Sequence, residues 1–252
     1  MRLKSIMAAF LHCPPGHHQA FNFWHDNDHR PENHGVIPHI YHSQRWVAPP
    51  EYVAARGAVD PTAFPKGGGE YLATYWSTAT PEQLLYDMTV LREQLTVVGR
   101  CGAINRDFEG LWVARMHFVA AQTREGLPLS ADAVPLAPHK GILVSIGEII
   151  DKRAGEEWAN WYMTVHVNDV LRCKGYRAFF KFMPMREQDQ HIYLHMYYLD
   201  EDPLEALKEA RSQTPRLKAE GRYPEDLIKA ARRDWMISAY RPIIPGQYDF
   251  YD

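Results

Sequence analysis

The sequence predicts an α+β fold made of two tandem βαββαβ units, and three observations predict it. Phe21, Trp24 and His29 in FNFWHDNDH return as Trp158, Trp161 and His166 in WANWYMTVH, each shifted by 137 residues. The same shift lays KSIMAAFLHC on GILVSIGEII without a gap, so that Ser5 falls on Ile142 and Ala8 on Ser145. Each copy also reads as strand, helix, strand, strand, helix, strand when hydrophobic period and turn punctuation are taken together.

The elements follow in order. Residues 4–13 form an apolar strand; its charged start resembles a secretory leader, but the run is short and has an internal counterpart at 141–150, so it reads as β-structure. A helix spans roughly residues 17–32, with Pro31 expected to end or distort it. Strands follow at 38–47 and 70–78. A second helix begins at Thr80, with Pro81 in its first position and Gln83 completing a capping box, and stops at Gly99. The closing strand is 111–121. In the second copy the same series falls at 141–150, 156–173, 176–183, 191–199, 202–219 and 234–243, with Asp202, Pro203 and Glu205 repeating the capping signature. This order is the ferredoxin-like unit.

YLATYW at 71–76 matches IYLHMY at 192–197 with a shift that has dropped to 121 or 122, so the first copy holds about sixteen extra residues. They lie in the proline- and glycine-rich stretch 47–69, read as a long surface loop of the kind that forms lids and pocket walls. The expected division is 1–123, a linker at 124–139, and 140–252, each copy long enough to bury a core.

The net charge is −3 with no basic stripe, which gives nucleic-acid binding no electrostatic support. Cys13, Cys101 and Cys173 make neither a zinc pattern nor an even disulfide set, which suits a reducing cytoplasm. No segment is apolar enough to suggest a membrane span. His25 and His29 share a helix face, yet the glutamate of a zinc helix is missing, Pro31 interrupts the turn, and Tyr162 replaces His25 in the second copy. No metal is expected.

The aromatic pair, the helical histidine, and the strand YRAFFKF after Lys174 and Gly175 resemble the EthD-like branch of the dimeric α/β-barrel superfamily, here as a fused tandem. In the first copy Pro38 stands in place of Gly175. The resemblance implies that the two antiparallel sheets pack into an α/β barrel. That superfamily includes isomerases, cyclases, cofactor-free monooxygenases and haem proteins of the chlorite dismutase type, and the cis-trans isomerases of bacterial syringate catabolism are similar. Fold alone leaves the reaction open.

Strand alternation nominates a cavity lining. In HIYLHMYYL, His191, Tyr193, His195 and Tyr197 are expected to face the barrel interior, with Ile192, Leu194 and Met196 under helices. In LWVARMHFV the interior set is Val113, Arg115 and His117; in HIYHSQRW it is His39, Tyr41 and Arg45. Buried polar rows need partners, so these suggest a wet or ligand-filled space. Eight of thirteen histidines lie in the first 42 residues, which marks the first copy as the chemical half, although His17, His18 and His34 read as loop residues.

The expected function is a cofactor-independent isomerase acting on a small anionic conjugated compound, a ring-cleavage dienoate or an enol-lactone. His29, His39 and Tyr41 are the catalytic candidates, and Trp24, Arg45, Arg115, His117, Tyr193 and His195 the substrate-binding ones. The His166 twin reads equally as a functional group or as a vestigial one that is merely hydrogen-bonded. No cofactor is called for, and a homodimer is compatible with the pattern. The alternatives are an oxygenase, cofactor-free or with a haem held by His117, His166 or His195, and a non-catalytic binding barrel.

Overall fold

The computed structural model describes residues 2–100 and 108–251, apart from the side chain of Lys66; Cys101 lies outside the described residues. Two compact units emerge. The first comprises Met1–Ala54, Pro61–Phe118 and Pro242–Asp252, the second Ala55–Asp60 and Val119–Arg241.

The first unit contains β1 (Ser5–His12), α1 (His18–Trp24), α2 (Arg30–Val36), β2 (Ile40–Val47), the short α3 (Pro50–Ala54), β3 (Tyr71–Ser77), α4 (Pro81–Val97) and most of β4 (Glu109–Thr123). Its strands pair antiparallel in the order β4-β1-β3-β2, as the ferredoxin-like reading expects. Thr80 caps α4 by accepting the Gln83 amide at 3.3 Å. Gly99 adopts φ +74° just past its end, a conformation that favours glycine.

The second unit contains β5 (Gly141–Ile149), α5 (Lys152–Trp161), α6 (Val167–Leu171), β6 (Tyr176–Pro184), β7 (Ile192–Leu199), α7 (Pro203–Ala219), α8 (Glu225–Ala231) and β8 (Arg232–Pro242). Its order, β8-β5-β7-β6, repeats the first. Asp151 caps α5 through the Ala154 amide at 2.7 Å. Asp202 caps α7 through the amides of Leu204 and Glu205 at 2.9 and 3.2 Å.

Pro31 does not end the first helix. A π-helical turn, His25–His29, joins α1 to α2 and leaves Pro31 in the opening turn of α2, where a missing amide proton costs least. The second copy has the same π turn at Tyr162–His166, between α5 and α6. The 47–69 stretch is ordered, holding α3 and a 3-10 turn at Pro65–Gly67.

The face assignment of the strands is inverted relative to expectation. Tyr193 and His195 touch Trp158 of α5 at centroid distances of 5.1 and 5.8 Å, so this polar row faces helices and Leu194 and Met196 occupy the other face. Arg115 likewise points to Met88 of α4, while Met116 is buried on the opposite side. In the first unit Ala9, Leu11, Tyr71, Ala73 and Tyr75 pack with Phe21, Trp24, Leu84 and Met88 in one apolar cluster. The gapless shift of 137 also fails inside the first strand. Ala9, paired with Ala73, has the facing of Ser145, paired with His195, so the equivalence there is one residue shorter. A one-residue slip moves every side chain to the other face.

Candidate active site

The space between helices and sheet differs between the units. In the second it is a cavity of about 320 Å3, lined by Leu143, Ser145 and Ile237 from the sheet and by Tyr162, His166 and Val170 from the π turn and α6. Tyr197, Tyr223, Asp169, Arg211, Arg232 and Asp234 supply its polar groups. The volume is at the lower end of small-molecule sites.

His166 closes the π turn. Such turns widen the helix locally and concentrate at functional sites; here the turn brings His166 against Tyr162 and Trp161, at centroid distances of 4.7 and 5.1 Å. Its imidazole makes no hydrogen bond among the described residues. Burial, followed by the positive charge of Arg232, lowers its pKa to about 4. The ring is therefore neutral at pH 7 and offers a proton acceptor to the cavity.

Arg232 is fixed from three sides. Its guanidinium donates to the Tyr193 hydroxyl at 2.8 Å and pairs with Asp234. It also lies over the Trp158 ring at 5.2 Å. Tyr193 in turn donates to Asp234 at 2.6 Å. Gly147 permits this approach, because a Cβ there would stand 2.5 Å from the Tyr193 hydroxyl and 2.4 Å from the Arg233 carbonyl. The hydroxyls of Tyr162 and Tyr197 lie 3.1 Å apart. Burial pushes Tyr162 up to about 12, so it stays protonated. The Asp169 charge is taken up by Arg222 at 3.1 and 2.5 Å. Arg211 donates only to the Ala55 carbonyl, at 3.2 Å, and has no carboxylate partner among the described residues.

In the first unit the corresponding space under the π turn is about 160 Å3, where Trp24, His29 and Arg115 do come together with Met7, Met88 and Glu32. Burial, with Arg45 adding to it against the opposing charge of Asp28, lowers His29 to about 4. The rest of the slot is filled. Arg45 is buried at 2% exposure, paired with Asp26 at 3.1 Å and held by Asn22 at 2.5 Å. Its guanidinium stands 5.1 Å from the Phe21 ring.

Several expected site residues are placed elsewhere. Arg45 has its charge matched internally and is no free clamp. His39 sits in the turn before β2, its carbonyl accepting from Thr78, and Tyr41 is half-buried outside the cavities described. His117 is at the surface beside Glu82, 3.5 Å away. His195 is fully buried among Trp158, Tyr162, Phe179 and Tyr193 with both ring nitrogens unpartnered, and Tyr193 acts through Asp234 and Arg232. Of the two spaces under the π turns, the larger is in the second copy. Two of the early histidines are committed to internal hydrogen bonds: His18, expected in a loop, is buried and bonded to Tyr71 at 2.8 Å, and His34 to Ser43 at 2.8 Å. Sequence reasoning missed Arg232 because it placed the last strand at 234–243, two residues late. Tyr162, four residues before His166, was the available signal.

Among the described residues no three His, Cys, Asp or Glu side chains gather as metal ligands. A haem does not fit the cavity. His166 is the one imidazole lining it, Asp169 and Asp234 would face the anionic propionates, and the volume suits one or two fused rings rather than a tetrapyrrole.

No family model and no curated protein matches the chain by sequence. Solved structures do match over nearly its whole length. One, from Fusobacterium nucleatum subsp. nucleatum ATCC 25586 and described as a candidate monooxygenase, aligns with TM-score 0.58 at 7% identity, covering 98% of this chain and 97% of its own. An anthrone oxidase-like protein aligns with TM-score 0.58 at 9% identity over 97% and 92%. Chlorite dismutase from Candidatus Nitrospira defluvii in complex with imidazole aligns with TM-score 0.53 at 9% identity over 95% and 91%. At such identities the likeness speaks for fold and not for reaction. The chain has an α+β fold of eight antiparallel strands in two ferredoxin-like halves, and its likeness to these structures is one of fold.

Proposed function

We propose that the cavity of the second unit is the active site of a cofactor-independent enzyme that enolises a small anionic conjugated compound and returns the proton at another carbon. The outcome is a cis-trans or double-bond isomerisation. The observation that carries this reading is one cavity lined both by a neutral imidazole, His166, and by a rigidly held guanidinium, Arg232. His166 takes the proton from the acidic C–H, and the electron pair moves onto the conjugated carbonyl oxygen. Arg232 and the Tyr162 and Tyr197 hydroxyls stabilise that oxygen, and the imidazolium then gives its proton to the new carbon. An imidazole with a pKa of about 4 is a weak base in water; it suffices here because the enolate charge forms beside a preorganised cation in a site of low polarity. Arg211, without a carboxylate of its own, holds the substrate anion. The EthD-like resemblance and the likeness to the isomerases of syringate catabolism support this reading.

A second reading is favoured by the names of the matching structures, which include a candidate monooxygenase and an anthrone oxidase-like protein. In it the same enolate would be oxidised by dioxygen. The test is to incubate the protein with dienoates and enol-lactones under anaerobic conditions and follow the ultraviolet spectrum. Isomerisation without oxygen, reduced at least a hundredfold in Arg232→Met, is the expected result. Turnover only with oxygen uptake supports the second reading, and full activity in Arg232→Met overturns both.

A further inference from the structure

We propose that the first unit carries a separate small-molecule site, formed beneath the segment inserted at 47–69, that binds a phenol or comparable acidic hydroxyl compound. The cavity there is about 400 Å3 and is walled by Pro50, Val53 and Ala54 of the insertion, by Pro15 and by Tyr251. Its polar end is built from Glu70 and His12. The Glu70 carboxylate, 7% exposed, accepts the Cys13 backbone amide at 2.7 Å and lies 3.0 Å from Nδ1 of His12.

A carboxylate can only accept, so the shared proton belongs to Nδ1 and the lone pair of Nε2 remains for a ligand. The His12 side chain is 30% exposed and lines the cavity, so that acceptor is reachable. One side of the space is an aromatic plate: His18 stacks on Tyr251 with ring centroids 4.5 Å apart and an interplanar angle of 12°. The plate is held in place by Tyr71, which bonds His18 at 2.8 Å, and by the Tyr251 hydroxyl, which donates to the Ala48 carbonyl at 2.6 Å. A half-buried acceptor at one end of an apolar, flat-walled space selects a donor hydroxyl on a planar hydrophobic body. Phenols have that shape, and their hydroxyl is a stronger donor than that of an alcohol.

The second copy lacks this construction. It has no segment matching 47–69, and by the one-residue-shorter equivalence of that strand Glu148, paired with Arg233, stands where His12 does. The site is therefore particular to the first copy, and it does not depend on the reaction assigned to the second.

The test is calorimetric titration of the full chain with phenol and, separately, with anisole, which has the same ring but no donor proton. Wild type and His166→Ala should bind phenol alike, and anisole should bind at least tenfold more weakly. His12→Phe and Glu70→Gln should each weaken phenol binding at least tenfold. Circular dichroism checks folding, and His12→Phe, at a partly exposed position, keeps the test decisive where Glu70→Gln fails to fold. Equal binding of phenol and anisole overturns the proposal, as does unchanged phenol affinity in His12→Phe. Loss of phenol binding in His166→Ala alone also overturns it, and assigns the phenol to the second unit's cavity.

Discussion

At the scale of single residues, His166 and His29 are twins in sequence and in electrostatics, each near pKa 4 because burial disfavours the imidazolium. A histidine in the unfolded chain titrates near 6.5. Between those values the unfolded state binds more protons than the folded one. Stability from these groups is therefore complete above about pH 6.5 and is lost as pH falls toward 4. The urea midpoint should drop over that interval, and His166→Gln should flatten the slope. An unaltered slope would show that His166 is not buried as a neutral ring. What separates the twins is their surroundings. His166 shares a cavity with Arg232, whereas His29 stacks on Trp24 at 4.9 Å in a space half as large.

At the scale of elements, the caps were readable because a cap is local: Thr80 and Asp202 each need only the next three residues. Both π turns escaped notice, since a widened turn leaves the apolar pattern nearly intact and shows only in the hydrogen-bond spacing. The faces of the strands were misassigned for a related reason. Alternation shows that Tyr193, His195 and Tyr197 share a side, but not which side the helices cover. A polar row alone suggests a space away from the helices, whereas in the second unit the polar space lies under them. Arg45 was misread because its partner, Asp26, lies nineteen residues earlier on a helix whose π turn had not been foreseen. That ion pair gives an element-level prediction. Arg45→Met leaves a buried carboxylate, which also accepts from Tyr248 at 2.9 Å, and should cost about 3–5 kcal/mol in urea unfolding. The double change Arg45→Met with Asp26→Leu should cost clearly less; equal costs would mean that the pair carries no desolvation penalty.

At the scale of the whole molecule, duplication gave two units of one topology that have diverged in what they enclose. The second copy has Ala159 and Met163 where the first has Asn22 and Asp26, so it lacks the polar plug and keeps its cavity. The first copy closed that space and gained the 47–69 segment, with its own cavity beneath. The repeat and the element order were legible from sequence alone, because they rest on periodicity and punctuation that each copy carries in full. The division of labour was not, because it depends on long-range pairs such as Arg232 with Tyr193 and Arg45 with Asp26. Histidine number does not show which copy keeps the larger space under its π turn, since early histidines such as His18 and His34 serve packing and hydrogen bonding.

On the proposed function the second copy, through His166, moves the substrate proton. The most direct measurement of that step is the rate of deuterium incorporation from D2O into an enolisable dienoate, followed by proton NMR for wild type, His166→Ala and His29→Ala under anaerobic conditions. His166→Ala should lose at least a hundredfold in exchange rate while His29→Ala stays within a few-fold of wild type. Exchange that persists in His166→Ala and disappears in His29→Ala would contradict that role for His166.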